Sequence, residues 1–271
     1  MPRPVEREQG KEDGPALVLV PGINGPWQWA GPAIDALART FRVLTFSLGA
    51  AGGAGRSDIH GDVEQVARVL DSRGIEQAIL CGISYGGVVA ASFAARNPSR
   101  VSALVVASAP GAGWHLRPRH EMYARWPLVF APVFFLEAPF RLQRELTATF
   151  PSFLNRLRFT RRQLWTLVSA PLSVSQMADR ARAVARHDIV ADCVRVTAPT
   201  LVVTGEPGLD RVVPVESTAT YVDRIAGAKR LVLERTGHLG TITRPETFAD
   251  MVRDFARECG CLERAARSEV A

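Results

Sequence analysis

A chain of 271 residues with 47% apolar and 22% charged side chains is long enough to bury a large core, with the composition of a globular protein rather than a disordered or fibrous one. Its net charge is +6, yet Lys11 and Lys229 are its only lysines and no basic run alternates with aromatics, which excludes the usual nucleic-acid-binding patterns. The cysteines Cys81, Cys193, Cys259 and Cys261 form no C-x-x-C pair and no zinc spacing with histidine, so neither a metal nor a cofactor is expected.

The first residues, MPRPVEREQGKEDG, are polar and lack the apolar centre of a signal peptide, and 1–13 read as a tail. The most apolar run, WPLVFAPVFFL, is too short and too broken by proline to span a bilayer. Reduced thiols and the absence of both segments predict a cytoplasmic protein.

The elements then alternate. ALVLV (16–20) reads as a buried strand, PAIDALART (32–40) as a helix and FRVLTF (41–46) as a second strand, followed by the glycine-rich loop LGAAGGAGRSD. Asp58 is placed to cap the next helix, and Gly74 to end it. AILC (78–81) and VSALVVASA (101–109) are further strands, apolar throughout, as expected of a parallel sheet covered on both faces.

Between 112 and 190 no strand is visible. This stretch holds Trp114, Trp126, Trp165 and most of the phenylalanines, and its amphipathic segments are punctuated by prolines. It reads as a helical insertion. It carries twelve arginines against five acidic side chains, expected to form mostly a solvated face, the alternative being that some receive an anionic substrate or an acidic carrier protein. The strands resume with PTLVVTG (199–205) and KRLVLE (229–234), each followed by a helix. The predicted organisation is an α/β fold with a doubly wound, mostly parallel sheet. Its core is 14–111 and 191–260, the helical insertion is 112–190, and a second tail is 261–271.

Chemistry enters at GISYGG. Ser84 stands between Gly82 and Gly86 where a strand hands over to a helix of small residues, the pattern of the G-x-S-x-G nucleophile elbow. A serine hydroxyl needs a base to take its proton and a carboxylate to orient that base. In such sheets these groups collect in loops at the carboxyl ends of strands. His238, in RTGHLG, follows the last strand, whereas His60 opens a helix and His115, His120 and His187 fall in or near the insertion. Asp210, in TGEPGLDRVVP, is preferred to Glu206, which directly follows its strand and is expected to brace the loop.

In this order and at these strand ends, LVLVPGINGPWQW, FRVLTFSLGAAGGAGRSD, GISYGG, TGEPGLDRVVP and RTGHLG together resemble the α/β-hydrolase-fold family, serine esterase-like members with a helical cap, over residues 14–258. The resemblance implies a cap at 112–190, and a hole for an oxyanion built from the backbone N–H groups of Ile23 and Tyr85. Pro21-Gly22 replaces the family's usual His-Gly, and the loop after FRVLTF lacks the usual early aspartate and arginine. The implied activity is cofactor-free hydrolysis of a small carboxylic ester with an apolar group, which Trp114, Trp126 and Phe134 would contact. Acyl transfer, amide cleavage or carbon–carbon hydrolysis would use the same triad, and a non-catalytic small-molecule receptor would keep only the fold.

Overall fold

Successive apolar residues along Ala16–Val20 require cover on both sides of the strand. The computed structural model, which describes residues 6–49 and 58–263, supplies it. Leu17 and Leu19 pack with Ile34, Leu37, Phe248 and Val252 on one face. Val18 and Val20 pack with Val66, Val88 and Phe93 on the other.

The strands are β1 (Glu6–Gly10), β2 (Ala16–Val20), β3 (Arg42–Phe46), β4 (Ala78–Ile83), β5 (Val101–Ala107), β6 (Thr200–Thr204) and β7 (Lys229–Val232). They form one sheet in the order β1-β3-β2-β4-β5-β6-β7. Only β1 runs antiparallel, against β3. Helices α1 (Gly31–Leu37), α2 (Ile59–Ser72) and α3 (Tyr85–Arg96) alternate with the first strands. Asp58 caps α2 as expected, its Oδ1 accepting from the Gly61 N–H at 2.7 Å.

Between β5 and β6 lie α4 (Pro118–Arg125), α5 (Pro127–Thr149), α6 (Phe153–Ser169), α7 (Val174–Arg186) and α8 (Ile189–Cys193). After them come α9 (Val215–Arg224), α10 (Gly240–Thr243) and α11 (Pro245–Glu258).

Two expectations about the termini change. Residues 6–10, read as tail, form the edge strand β1 along Arg42–Phe46. Their side chains are polar throughout, which suits an edge, where one side of the ladder meets water. Cys261, assigned to the second tail, is buried against the α1 and α11 side of the sheet. The glycine-rich stretch at 50–57 and residues 1–5 and 264–271 lie outside the described residues. No helix among the described residues is long and apolar enough to cross a membrane.

The connectivity also places a crevice. From β2 the chain winds outward to β3, then returns to β4 on the other side of β2, so β2 and β4 are neighbours whose connections leave in opposite directions. Ligands of open α/β sheets bind outside the strand ends at such a switch point. The segments that leave these two strands are Pro21–Ile23 and Ser84.

Candidate active site

Strand β4 hands over to α3 with no intervening loop, and Ser84 absorbs the turn at φ 55° and ψ −121°. That conformation is costly for a non-glycine residue and presents the side chain at the sheet's end. Close approach explains the neighbouring glycines. A Cβ at Gly82 would overlap the Gly86 carbonyl, and one at Gly86 would overlap the carbonyl of Val20. The turn is pinned by Ser84 N–H donating to the Ala107 carbonyl at 2.8 Å.

From the loop after β7, His238 Nε2 lies 3.1 Å from Ser84 Oγ, and its Nδ1 lies 3.1 Å from Asp210 Oδ2. The hydrogen-bonding network assigns the Nδ1 proton, which faces the carboxylate. Asp210, buried in the loop after β6, is fixed through its other oxygen, which accepts from the backbone N–H groups of Val212 and Val213 at 2.9 and 2.8 Å. Burial pulls the His238 pKa down, but the charge and hydrogen bond of Asp210 and the charge of Glu145 outweigh it, so the imidazole titrates above its ordinary value. Glu206 accepts from the Arg235 N–H at 2.7 Å and so braces the histidine loop.

The other histidines are elsewhere. His60 pairs with Arg96, His115 meets the Gly113 carbonyl, and His187 sits 2.6 Å from Asp192. His120 packs on Tyr123.

Gly22 runs alongside the Ser84 turn, close enough that a Cβ there would touch the Ser84 Cβ at 3.6 Å. This brings Ile23 to the same end of the sheet. Tyr85 opens α3, so its N–H has no intrahelical acceptor by helix geometry and carries the positive end of the helix dipole.

The aromatic positions expected to contact substrate do not converge. Trp126 is 57% exposed. Phe134 sits edge-on to Phe135 at 5.6 Å and beneath the Arg141 guanidinium. Trp114 lines a cavity of about 260 Å³ with Val88, Pro110 and Val184, which neither Ser84 nor His238 lines.

Two buried charges of the inserted helices were not singled out from sequence. Arg180 on α7 is fully buried, contrary to a solvated face for that arginine. Its guanidinium donates to the carbonyls of Ile23 at 3.0 Å and Leu48 at 3.1 Å. It lies in the field of Asp62, which accepts from the Tyr85 hydroxyl at 2.6 Å. Arg180 thus holds the strand-end segment containing Ile23 while Asp62 holds the residue after Ser84. Glu145 on α5 is 1% exposed and accepts from the Leu239 N–H at 2.8 Å. The sequence signal for Arg180 is its place on the same face of α7 as Met177, Ala181 and Val184. Glu145 has no comparable signal.

The sheet order, the strained serine between glycines and the strand-end loops define an α/β hydrolase. A family model described as the alpha/beta hydrolase fold matches residues 15–245, and the chain belongs to that family. Among its relatives is a protein of Stutzerimonas stutzeri provisionally assigned as the carbamate hydrolase RutD, 26% identical over 92% of this chain and 94% of its own. Another is the pimeloyl-[acyl-carrier protein] methyl ester esterase of Aeromonas hydrophila, 29% identical over 89% of this chain and 95% of its own. The enol-lactonase structure from Burkholderia xenovorans superposes with a TM-score of 0.75 at 21% identity, over 93% and 95% of the two chains.

Proposed function

We propose that the protein hydrolyses a carboxylic ester through an acyl-enzyme on Ser84. The observation that carries this reading is the hydrogen-bonded series Ser84–His238–Asp210 at the end of β4, with the serine in a strained, presented conformation. His238 Nε2 takes the hydroxyl proton as Oγ attacks the acyl carbon. Asp210 holds the Nδ1–H tautomer and stabilises the imidazolium that forms. The N–H groups of Ile23 and Tyr85 receive the developing oxyanion, each worth about 3–4 kcal/mol in the transition state. The imidazolium then protonates the departing alcohol, and water, deprotonated by the same histidine, releases the acid. No step needs a metal or cofactor.

The test is covalent. A fluorophosphonate is expected to label the protein once, with the adduct on Ser84 by peptide mapping. The labelling rate should rise with pH as His238 loses its proton, along a limb above the ordinary imidazole value of 6.5 because the pKa of His238 is raised. Labelling of another residue, or tight binding of a small molecule by a protein that resists labelling, would refute the reading.

We assign residues 112–190 as a cap over this site. Exposed apolar side chains on α5 and α6, among them Leu128, Leu136, Leu157, Leu164 and Trp165, support a preference for an apolar acyl or alcohol group. Each methylene that enters an apolar pocket gains about 0.8 kcal/mol, or roughly fourfold. Medium-chain p-nitrophenyl esters are therefore expected to exceed the acetate in kcat/KM. Trp126→Ala or Phe134→Ala should move the optimum while leaving fluorophosphonate labelling intact. An acetate optimum unchanged by both variants would make the cap a lid without a role in selection.

A further inference from the structure

We infer that Glu145 is a positioning residue through which the helical insertion sets the placement of His238. The inference rests on the reading of Ser84 and His238 as nucleophile and base.

The contacts are arranged around the histidine. Glu145 accepts from the N–H of Leu239 at 2.8 Å, and the backbone of Gly237 also hydrogen bonds to it. These are the residues on either side of His238, so one carboxylate grips the peptide groups that fix where the imidazole hangs. The attachment continues at the end of α5. The Arg235 guanidinium donates to the Ala148 carbonyl at 2.9 and 3.1 Å, and Thr149 Oγ1 donates to the Arg235 carbonyl at 2.7 Å. Arg235 adopts φ 59°, a left-handed conformation held while its N–H is taken by Glu206. Helix α5 is therefore sewn to the histidine loop by three residues of its C-terminal end, Glu145, Ala148 and Thr149.

The charged groups around Glu145 leave His238 as its partner. His238 and Asp210 act on it from the two loops, with opposite signs. Arg235 faces the helix terminus. Nearer the start of α5, Arg141 and Arg119 of α4 are both taken up by Glu137. On α7, Arg182 is paired with Asp179. Burial pushes the Glu145 carboxyl up to about 7, with the Gly237 and Leu239 bonds and the charge of His238 opposing. Its negative charge in turn contributes to the raised affinity of His238 for a proton. The charge of each group thus favours the charged form of the other.

The experiment is the pH dependence of the fluorophosphonate labelling rate at Ser84 for wild type, E145Q and E145A, with folding checked by thermal melting. Glutamine keeps one acceptor oxygen, for the Leu239 N–H, gives up the second, toward Gly237, and removes the charge, so imidazolium loses a stabilising neighbour. The acid limb of E145Q should move to lower pH by about 0.5–1 unit with its plateau rate largely kept. E145A loses the grip as well, and its plateau should fall by about tenfold or more. A merely structural glutamate predicts an E145Q limb that superimposes on wild type, and that result would overturn the inference whether or not E145A folds. A wild type that labels away from Ser84 would instead remove the triad reading, and this inference with it.

Discussion

Ser84→Ala is expected to lower the turnover of p-nitrophenyl esters by at least about 10⁴-fold, since removing the nucleophile of a serine triad costs on that order or more. In barrier terms this is more than about 5 kcal/mol. The fold should survive. Alanine keeps the Cβ that already sits at φ 55°, and the turn is held by the backbone bond to Ala107 rather than by the hydroxyl. Only the Ser84–His238 hydrogen bond disappears, worth about 1 kcal/mol, so the melting temperature should move by a few degrees at most. The variant should also refuse fluorophosphonate. A purified variant retaining a tenth of wild-type activity would point to a different nucleophile.

The second large effect is expected at Arg180, through stability. Arg180→Met keeps the length of the side chain but leaves the carbonyls of Ile23 and Leu48 without their donor and removes the positive charge facing buried Asp62. Breaking a buried charge arrangement from one side costs about 3–5 kcal/mol, which for a chain of this size lowers the melting temperature by roughly 10 °C. Adding Asp62→Asn should recover part of the loss, because the stranded charge goes with it. In ester hydrolysis, kcat should fall more than KM rises, since Ile23 loses its anchor and an oxyanion donor matters most in the transition state. An unchanged melting point would show that the segment after β2 holds itself without Arg180.

The sheet and its strand-end loops were legible because their signals are local. Residues 16–20, 78–83 and 101–107 are apolar on both faces, as central parallel strands must be, and Gly82-Ile83-Ser84-Tyr85-Gly86 carries the sterics of its own turn. The order Ser84, Asp210, His238 followed from strand ends alone, and the structure brings these three side chains into hydrogen-bonding contact. Strand β1 was not legible. Its sequence, EREQG, has no apolar face, and it is a strand only because β3 offers a free edge. The two buried charges were hidden for a related reason. A carboxylate or guanidinium is tolerated inside only where the tertiary fold delivers its partners. Those of Arg180 and Glu145 are backbone groups 157 and 94 residues away. Which aromatics of the insertion face a substrate was not legible, because composition reports how much apolar surface the insertion carries and not which way it points.

Ser84 and His238 are 154 positions apart in the chain, with the histidine on the loop of the last strand. A polypeptide grows from its N-terminus at about 5–20 residues per second, so His238, the proposed base, is synthesised about 8–30 s after Ser84. During that interval β2, β4 and α3 can already pair and set the serine's backbone, but its hydroxyl has nothing to give its proton to. On the proposed mechanism the serine gains its base only when the loop after β7 docks, so completing the sheet is the event that switches it on.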